Sequence, residues 1–112
     1  MINVSDNVFV LNTKDTTYVF GILPTGQPEH LYYGRKITVG DASGLREKHV
    51  FQPGSSVVYD SEHDNYTLED VCLEMSSYGK GDIREPFVKL VYEDGSFSSD
   101  FIYDSYEITD GK

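Results

Sequence analysis

The chain has 112 residues, the length of one domain and well below the roughly 250 residues of a typical (β/α)8 barrel enzyme. Its 19 acidic and 9 basic residues give a formal net charge of −10, which disfavours nucleic acids and anionic membranes as partners because both are negatively charged. No apolar run approaches the roughly 20 residues that a membrane-spanning helix needs. Aromatic residues make up 13% of the chain, and this richness in Tyr and Phe favours strands over helices.

The cysteine content and the first residues bear on the cellular compartment. Cys72 is the only cysteine, so no internal disulfide can form. Residues 1–4 show neither the basic start nor the apolar core of a secretory signal peptide. Both observations predict a cytoplasmic protein. Cys72 also falls on the apolar face of a predicted helix, so we expect its thiol to be a small buried hydrophobe.

Three short strands are predicted near the start of the chain. Apolar, aromatic and β-branched residues dominate residues 8–11, 17–23 and 30–33, and short polar connections separate these runs. Pro24-Thr25-Gly26 is the clearest turn, because proline presets φ and glycine tolerates the positive φ that turns require. Short connections favour neighbouring antiparallel strands, so the three runs predict a meander.

The third run carries an aromatic cluster, His30, Tyr32 and Tyr33, of a kind that can line a sugar site. Strict alternation along the strand would place His30 and Tyr32 on one face, with Leu31 and Tyr33 on the other. Both faces then look half-buried. Strand packing and subunit contacts are therefore the favoured interpretation over a sugar site.

Residues 36–55 form the longest predicted loop, and loops of this length in a compact domain are usually functional or mobile. The loop carries Arg46, Lys48 and His49 beside Phe51, a group able to hydrogen-bond sugar hydroxyls and to cover a sugar ring. The alternative is a solvated connection that apolar residues hold against the domain.

An acidic stretch follows at residues 60–64, and we interpret it as a polar loop. It lacks the central glycine and the distal glutamate of a calcium loop. It also lacks the second His or Cys that a zinc site would need at close spacing. We therefore predict no metal and no cofactor.

A short helix is predicted over residues 68–73. Apolar residues at 68, 71, 72 and 75 follow the spacing of one helical face. Thr67 stands just before them as an N-cap, with an acidic residue three positions later at Asp70.

The polar loop after this helix, residues 76–86, holds Tyr78, Lys80, Asp82 and Arg84. Asp82 and Arg84 are two residues apart, which allows a fork-shaped ion pair between their side chains. The charge density favours a docking surface over a loop that satisfies only itself.

Two more strands are predicted over residues 87–92 and 97–108. Asp94-Gly95 lies between them and is the strongest hairpin signal in the chain. Strand patterns separated by turn signals predict an all-β fold, an antiparallel β-sandwich of two sheets with one short helix.

Several segments resemble one known family. The run L-E-D-V-C-L-E-M-S-S-Y-G-K-G-D-I-R-E-P at residues 68–86 is similar to the signature of the N-terminal domain of bacterial α-galactosidases of glycoside hydrolase family 36. Shorter similarities are H-L-Y-Y-G at residues 30–34, F-Q-P-G at 51–54 and D-G-S at 94–96. The resemblance thus covers essentially the whole chain.

The resemblance implies a supersandwich-like β-domain that precedes a catalytic barrel. Residues 1–112 are then expected to be one amino-terminal domain of a larger glycosidase that acts on terminal α-galactosides. Both catalytic carboxylates of the family belong to the barrel, so no catalytic residue is expected in this chain. The implied partners are the barrel of the same polypeptide, neighbouring subunits of a homo-oligomer and an α-galactoside substrate.

Two groups of residues are candidates for function within that frame. The first group would form part of the wall of a neighbouring subunit's substrate pocket: Arg46, Lys48, His49 and Phe51. The second group would dock on the barrel or on another subunit: Tyr78, Lys80, Asp82 and Arg84. A free-standing carbohydrate-binding module is the alternative function, although the absence of Trp counts against it. A purely structural sandwich without a ligand is a third interpretation.

Overall fold

The computed structural model describes residues 1–46, 58–64 and 67–110. Four strands form one antiparallel sheet in which each strand pairs with the next along the chain: β1 (Ile2–Ser5), β2 (Val8–Asn12), β3 (Thr16–Ile22) and β4 (Pro28–Arg35). Helix is confined, among the described residues, to two short 3-10 turns, Ala42–Leu45 and Leu68–Asp70. The predicted all-β class and the predicted meander are therefore confirmed.

The turns between the strands explain why three of the four strands were predicted from the sequence and one was not. Gly26 has φ +98° and its amide donates to Leu23 O at 2.8 Å, so the predicted turn is present. The turn between β1 and β2 was not predicted. Asp6 and Asn7 both have positive φ there, a conformation that short polar side chains tolerate and that two-residue hairpins require. Strand β1 was missed because this turn contains no glycine.

Strand β4 contains a β-bulge. Val19 of β3 lies opposite Tyr32, but the next residue, Phe20, lies opposite His30. Leu31 is therefore an extra residue without a partner across the ladder. Such a bulge reverses the inward and outward alternation of side chains on one side of it.

The bulge changes which aromatic side chains lie together. His30 and Tyr33 share one face of the sheet with Tyr18, whose ring centroid is 5.6 Å from His30 and 6.1 Å from Tyr33. The expectation from strict alternation, which placed His30 with Tyr32, is wrong. The extra residue is the physical reason.

The aromatic face of the sheet holds part of the core. Phe9 is 5% exposed and stacks on Phe20, with ring centroids 4.6 Å apart. Tyr103 and Tyr106 pack against Phe9 at centroid distances of 5.9 and 5.1 Å. The Tyr103 amide donates to Gly26 O at 2.8 Å. The carboxyl-terminal segment thus crosses this face as a second layer, which makes the domain sandwich-like.

A second apolar cluster lies beside the β3–β4 turn, and it includes residues from the segment where a helix was predicted. Leu23, Leu68 and Val71 are buried there, with Tyr59 and Leu73 packed against them. The predicted helix over residues 68–73 is only the 3-10 turn Leu68–Asp70. The Thr67 hydroxyl accepts from Glu69 N at 3.2 Å, so the predicted cap is present even though the helix is not.

The chain leaves this turn as an extra strand-like segment beside β4. Val71 has extended φ and ψ, and Leu73 forms an isolated antiparallel bridge with Glu29. The His30 amide donates to Cys72 O at 2.6 Å. These contacts override helical spacing, and they leave Cys72 exposed rather than buried as expected.

The predicted hairpin in the carboxyl-terminal part is present only as a turn. Tyr92 N donates to Ser96 O at 2.8 Å, and Gly95 has φ +83°. Residues 87–92 and 97–108 belong to no hydrogen-bonded ladder among the described residues. They are tied to the domain by single backbone bonds, among them Phe87 N to Ser76 O and Ser99 N to Tyr78 O. Strand propensity is present there, but a paired neighbour is not described.

Candidate functional site

The polar loop at residues 76–86 is organised around one ion pair. Arg84 Nε donates to Asp82 Oδ1 at 2.8 Å, and Arg84 Nη2 donates to Asp82 Oδ2 at 3.1 Å, which is the fork geometry that the spacing allowed. Arg84 Nη2 also donates to Leu68 O at 2.7 Å. The pair therefore fastens the loop to the 3-10 turn that carries buried Leu68.

The carboxylate of this pair is buried while its arginine is partly exposed. The Asp82 side chain has no exposed surface, and that of Arg84 is 37% exposed. Burial alone would raise the pKa of Asp82, but the hydrogen bonds and the charge of Arg84 outweigh it and hold that pKa below its ordinary value. Asp82 is thus a charged anchor inside the loop.

The other two predicted docking residues also contact their own domain. The Tyr78 ring meets Phe97 edge-on at 6.0 Å, and Lys80 Nζ lies 5.2 Å from the centroid of the Tyr59 ring. Gly79, with φ +98°, lies where a methyl group would be 3.0 Å from Ser98 Cα. The structure therefore places all four predicted docking residues in contacts with their own domain, and Tyr78 is the one that contacts Phe97.

A polar network that the sequence did not reveal joins three parts of the chain. Gln27 is 1% exposed, and its Nε2 donates to Asp100 Oδ1 at 2.9 Å. The Tyr59 hydroxyl donates to Asp100 Oδ2 at 2.5 Å. Burial, together with this carboxylate, raises the pKa of Tyr59. No local motif marks such a network, because its members are more than 30 residues apart.

The two described histidines, His30 and His63, pair with carboxylates at two separate places. His30 Nδ1 lies 2.8 Å from Glu74 Oε1, next to Tyr18, whose pKa is raised by burial and by Glu74. His63 Nδ1 lies 2.8 Å from Asp60 Oδ1, which also accepts from the His63 amide. Within the described ranges, no group of three or more His, Cys, Asp or Glu side chains is placed to hold a metal ion.

The first predicted group of site residues is described only at Arg46. Its side chain is half-buried and turns toward its own sheet, where Nη2 donates to Ile22 O at 3.4 Å. Lys48, His49 and Phe51 lie outside the described residues. Arg46 borders a groove of about 740 Å³ between the β1–β2 hairpin and residues 39–46.

The most exposed apolar surface lies in the carboxyl-terminal part. Ten of the fourteen large apolar side chains that are exposed among the described residues lie between positions 83 and 108, and we call this set the apolar strip: Ile83, Phe87, Val88, Leu90, Val91, Tyr92, Phe97, Ile102, Tyr106 and Ile108. Contiguous exposed apolar patches are the surfaces on which soluble proteins form interactions. No helix in the described part of the chain is long and apolar enough to cross a membrane.

Comparisons with known proteins agree in pointing to one family. The glycosyl hydrolase family 36 N-terminal domain matches residues 26–112. The chain is 32% identical over 111 residues to the bifunctional alpha-galactosidase/sucrose kinase AgaSK of Mediterraneibacter gnavus, and 27% identical over 110 residues to the alpha-galactosidase AgaA of Geobacillus stearothermophilus. These alignments cover 98% of this chain but only 12% and 15% of the two relatives.

Solved structures share the fold. An alpha-galactosidase from Lactobacillus brevis superposes with a TM-score of 0.80 at 28% identity, over 93% of this chain and 14% of that one. A variant of AgaA from Geobacillus stearothermophilus in complex with raffinose superposes with a TM-score of 0.77 at 26% identity, over 88% of this chain and 13% of that one. The similarity thus covers nearly all of this chain and a small part of each larger protein.

Proposed function

The chain belongs to the glycosyl hydrolase family 36 N-terminal domains, and we propose that it is the non-catalytic amino-terminal domain of an α-galactosidase. The proposed substrates are terminal α-galactosides of the melibiose and raffinose type. Relatives named alpha-galactosidases support this, as does the raffinose complex of one of them. The catalytic groups would lie in a barrel of the same polypeptide.

Enzyme assays test this part of the proposal directly. We expect the longer polypeptide to hydrolyse raffinose and nitrophenyl α-galactoside, and the 112-residue chain to hydrolyse neither. Turnover by the 112-residue chain that a point substitution within it abolishes would contradict the assignment of catalysis to the barrel.

The apolar strip is the observation that carries the proposed docking role. Its side chains expose apolar surface that gains roughly 25 cal/mol per Å² when it is buried against a partner. Backbone hydrogen bonds from the amides of residues 88–91 to described residues are absent, and a strand of the following polypeptide would offer these amides carbonyl acceptors. The proposed partner is the polypeptide that follows this domain in the larger enzyme.

The polar loop has a supporting part in this docking. Ser76 O and Tyr78 O accept backbone bonds from Phe87 and Ser99, which both lie within the residue range of the strip. The Asp82–Arg84 pair fixes the loop that presents these carbonyls. We infer that the loop holds the strip in position and that the strip makes the contact.

Amide hydrogen exchange distinguishes docking from a merely exposed surface. We expect the amides of residues 88–91 to exchange rapidly in the 112-residue chain and to be protected at least about 100-fold in the longer polypeptide. The Val19 amide, inside the sheet, is the matched control and should be protected in both. Equal, rapid exchange of residues 88–91 in both proteins would contradict docking through the strip.

The second part of the proposal concerns oligomers. In an oligomer, Lys48, His49 and Phe51 would form part of the outer wall of the neighbouring subunit's substrate pocket. Their chemistry supports this, because they offer hydrogen bonds to hydroxyls and an aromatic cover. Arg46 directs its side chain into its own domain, so it would anchor the root of this segment.

Steady-state kinetics of the larger enzyme test whether these residues line the neighbouring subunit's substrate pocket. Replacing Lys48, His49 and Phe51 with Ala should raise KM for raffinose by the equivalent of about 1–3 kcal/mol and should leave a small aryl galactoside nearly unaffected. Lys14→Ala, at an exposed position in the β2–β3 connection, is the control. Unchanged constants for both substrates, with the oligomer intact, would make this segment a solvated connection.

A further inference from the structure

Exposure alternates along the first part of the apolar strip. Phe87 and Val91 are 63% and 65% exposed, whereas Val88 and Leu90, which lie between them in sequence, are each 38% exposed. Such an alternation is typical of an extended segment, because successive side chains of an extended chain point to opposite sides. Phe87 and Val91 therefore mark the outward side of this segment.

Lys89 lies at the centre of that outward side, two residues from Phe87 and two from Val91. Lys89 is itself exposed. It is the one basic residue among residues 85–110, a stretch with seven acidic residues. Even so, no ion pair among the described residues involves Lys89. The outward side thus carries a cation whose charge is balanced by no ion pair within the described part of the chain.

A partner that covers this outward side would remove water from the Lys89 amine. A buried charge is costly unless an opposite charge and hydrogen bonds replace the lost water. A lysine at the margin of a contact avoids this cost by extending its amine into the solvent. Two apolar side chains precede Lys89 in sequence and three follow it, which favours a position inside the contact.

We propose that the surface docked on the apolar strip carries a carboxylate opposite Lys89. This inference rests on the docking proposed above, and the partner is the same, the polypeptide that follows this domain. In two relatives most of the polypeptide lies outside the aligned region, which covers only 12% and 15% of their length. The carboxylate accepts hydrogen bonds from the Lys89 ammonium group, while apolar side chains of the partner pack on Phe87 and Val91.

Amide hydrogen exchange of residues 88–91 in the longer polypeptide tests for this carboxylate. Lys89→Met keeps a long apolar side chain but removes the charge, which would leave the partner's carboxylate buried without its cation. We expect the protection of these amides to fall about tenfold, because a hydrogen bond to a charged group is lost. Lys89→Arg retains the charge and should keep most of the protection. Lys89→Glu places two carboxylates together and should lower the protection furthest.

Two controls separate lost docking from other effects. Lys14→Met, at an exposed lysine in the β2–β3 connection, should leave the protection of residues 88–91 unchanged in the longer polypeptide. Lys89→Met in the 112-residue chain should unfold at the same urea concentration as the unaltered chain, since Lys89 is exposed there.

The outcomes distinguish this inference from the docking on which it rests. If residues 88–91 exchange as rapidly in the unaltered longer polypeptide as in the 112-residue chain, docking through the strip fails and the carboxylate with it. Protection in the unaltered polypeptide that Lys89→Met preserves or increases would overturn the carboxylate alone. Equal losses in Lys89→Met and Lys89→Arg would also overturn it, because the contact would then depend on the shape of Lys89 and not on its charge.

Discussion

The amino-terminal sheet and the carboxyl-terminal part have similar strand-forming residues but different order. Residues 17–21 pair on both sides in the sheet, whereas residues 87–92 belong to no ladder among the described residues. The sheet keeps Phe9 and Val19 at 5% and 0% exposure, while Phe87 and Val91 of the apolar strip are 63% and 65% exposed. Strand-forming residues therefore allow the extended conformation, but a strand forms only where a neighbouring strand accepts and donates its backbone hydrogen bonds.

The largest expected effect contrasts two phenylalanines, one from each region. Phe9→Ala should lower the free energy of unfolding by about 3–5 kcal/mol, because it removes a buried ring that stacks on Phe20 and contacts Tyr106. Phe97→Ala should cost less than about 1 kcal/mol, since Phe97 is 54% exposed. Urea unfolding of both variants measures the difference. Similar costs would show that the two regions are equally packed.

A smaller effect is expected where Gly79 approaches Ser98 of the carboxyl-terminal part. Gly79→Ala should destabilise the domain by about 2–3 kcal/mol, because φ is +98° and the added methyl group would press on Ser98. Gly95→Ala is the matched control, as its φ is also positive but nothing lies within 4 Å of the added methyl group. It should cost only about 1 kcal/mol. Thermal unfolding of the two variants separates the cost of the positive φ from the cost of the clash with Ser98. Equal losses of stability would mean that the clash with Ser98 contributes nothing.

The ion pair of the polar loop should matter next. Arg84→Met leaves the Asp82 carboxylate buried without its partner, and we expect a loss of about 2 kcal/mol. Arg35→Met, at the exposed end of β4, should change the stability by less than about 0.5 kcal/mol. Denaturant titrations that give the same loss for both would mean that the pair adds no stability.

The smallest effect is a pH dependence that the same pair produces. The pKa of Asp82 is lower in the folded domain than in the unfolded chain, where it is about 3.9. Its contribution is therefore fully present above the unfolded pKa and is lost as the pH falls through the folded value. Arg84→Met removes the guanidinium charge and its side-chain hydrogen bonds but keeps the hydrogen bonds from the backbone amide of residue 84 and from Ser76, so the pH dependence should become weaker. Unfolding free energies between about pH 6 and pH 3 measure both slopes, with Asp82→Asn as the reference without this group.

Much of the fold followed from local sequence. The runs at residues 8–11, 17–23 and 30–33 correspond to β2, β3 and β4, and turn chemistry located Pro24-Thr25-Gly26 and Asp94-Gly95. These features depend on a few neighbouring residues. Strand β1 needed the recognition that Asp6-Asn7 can form a two-residue turn without glycine.

Features that depend on distant partners were not predictable. The bulge at Leu31 arises from the pairing of β4 with β3, and it reversed the expected positions of Tyr32 and Tyr33. The helical spacing at Leu68 and Val71 served core packing instead, because the following residues bridge to Glu29.

The candidate site was predictable in part. The Asp82–Arg84 pair followed from spacing alone, and it is present. Other features of the site join segments that are 16 to 73 residues apart in sequence. They are the hydrogen bond from Arg84 to Leu68 O, the Gln27–Asp100–Tyr59 network and the groove beside Arg46. No motif in one sequence encodes such contacts.

The exposed thiol of Cys72 gives the domain a site for a single spectroscopic reporter. It lies on the segment whose carbonyl accepts from the His30 amide, where the sheet meets the carboxyl-terminal part. A maleimide fluorophore or a nitroxide there would attach without competing cysteines, since the sequence contains no other. Its mobility would register the detachment of this segment from β4 separately from the melting of the sheet. The two regions could then be followed in one unfolding experiment, each through its own signal.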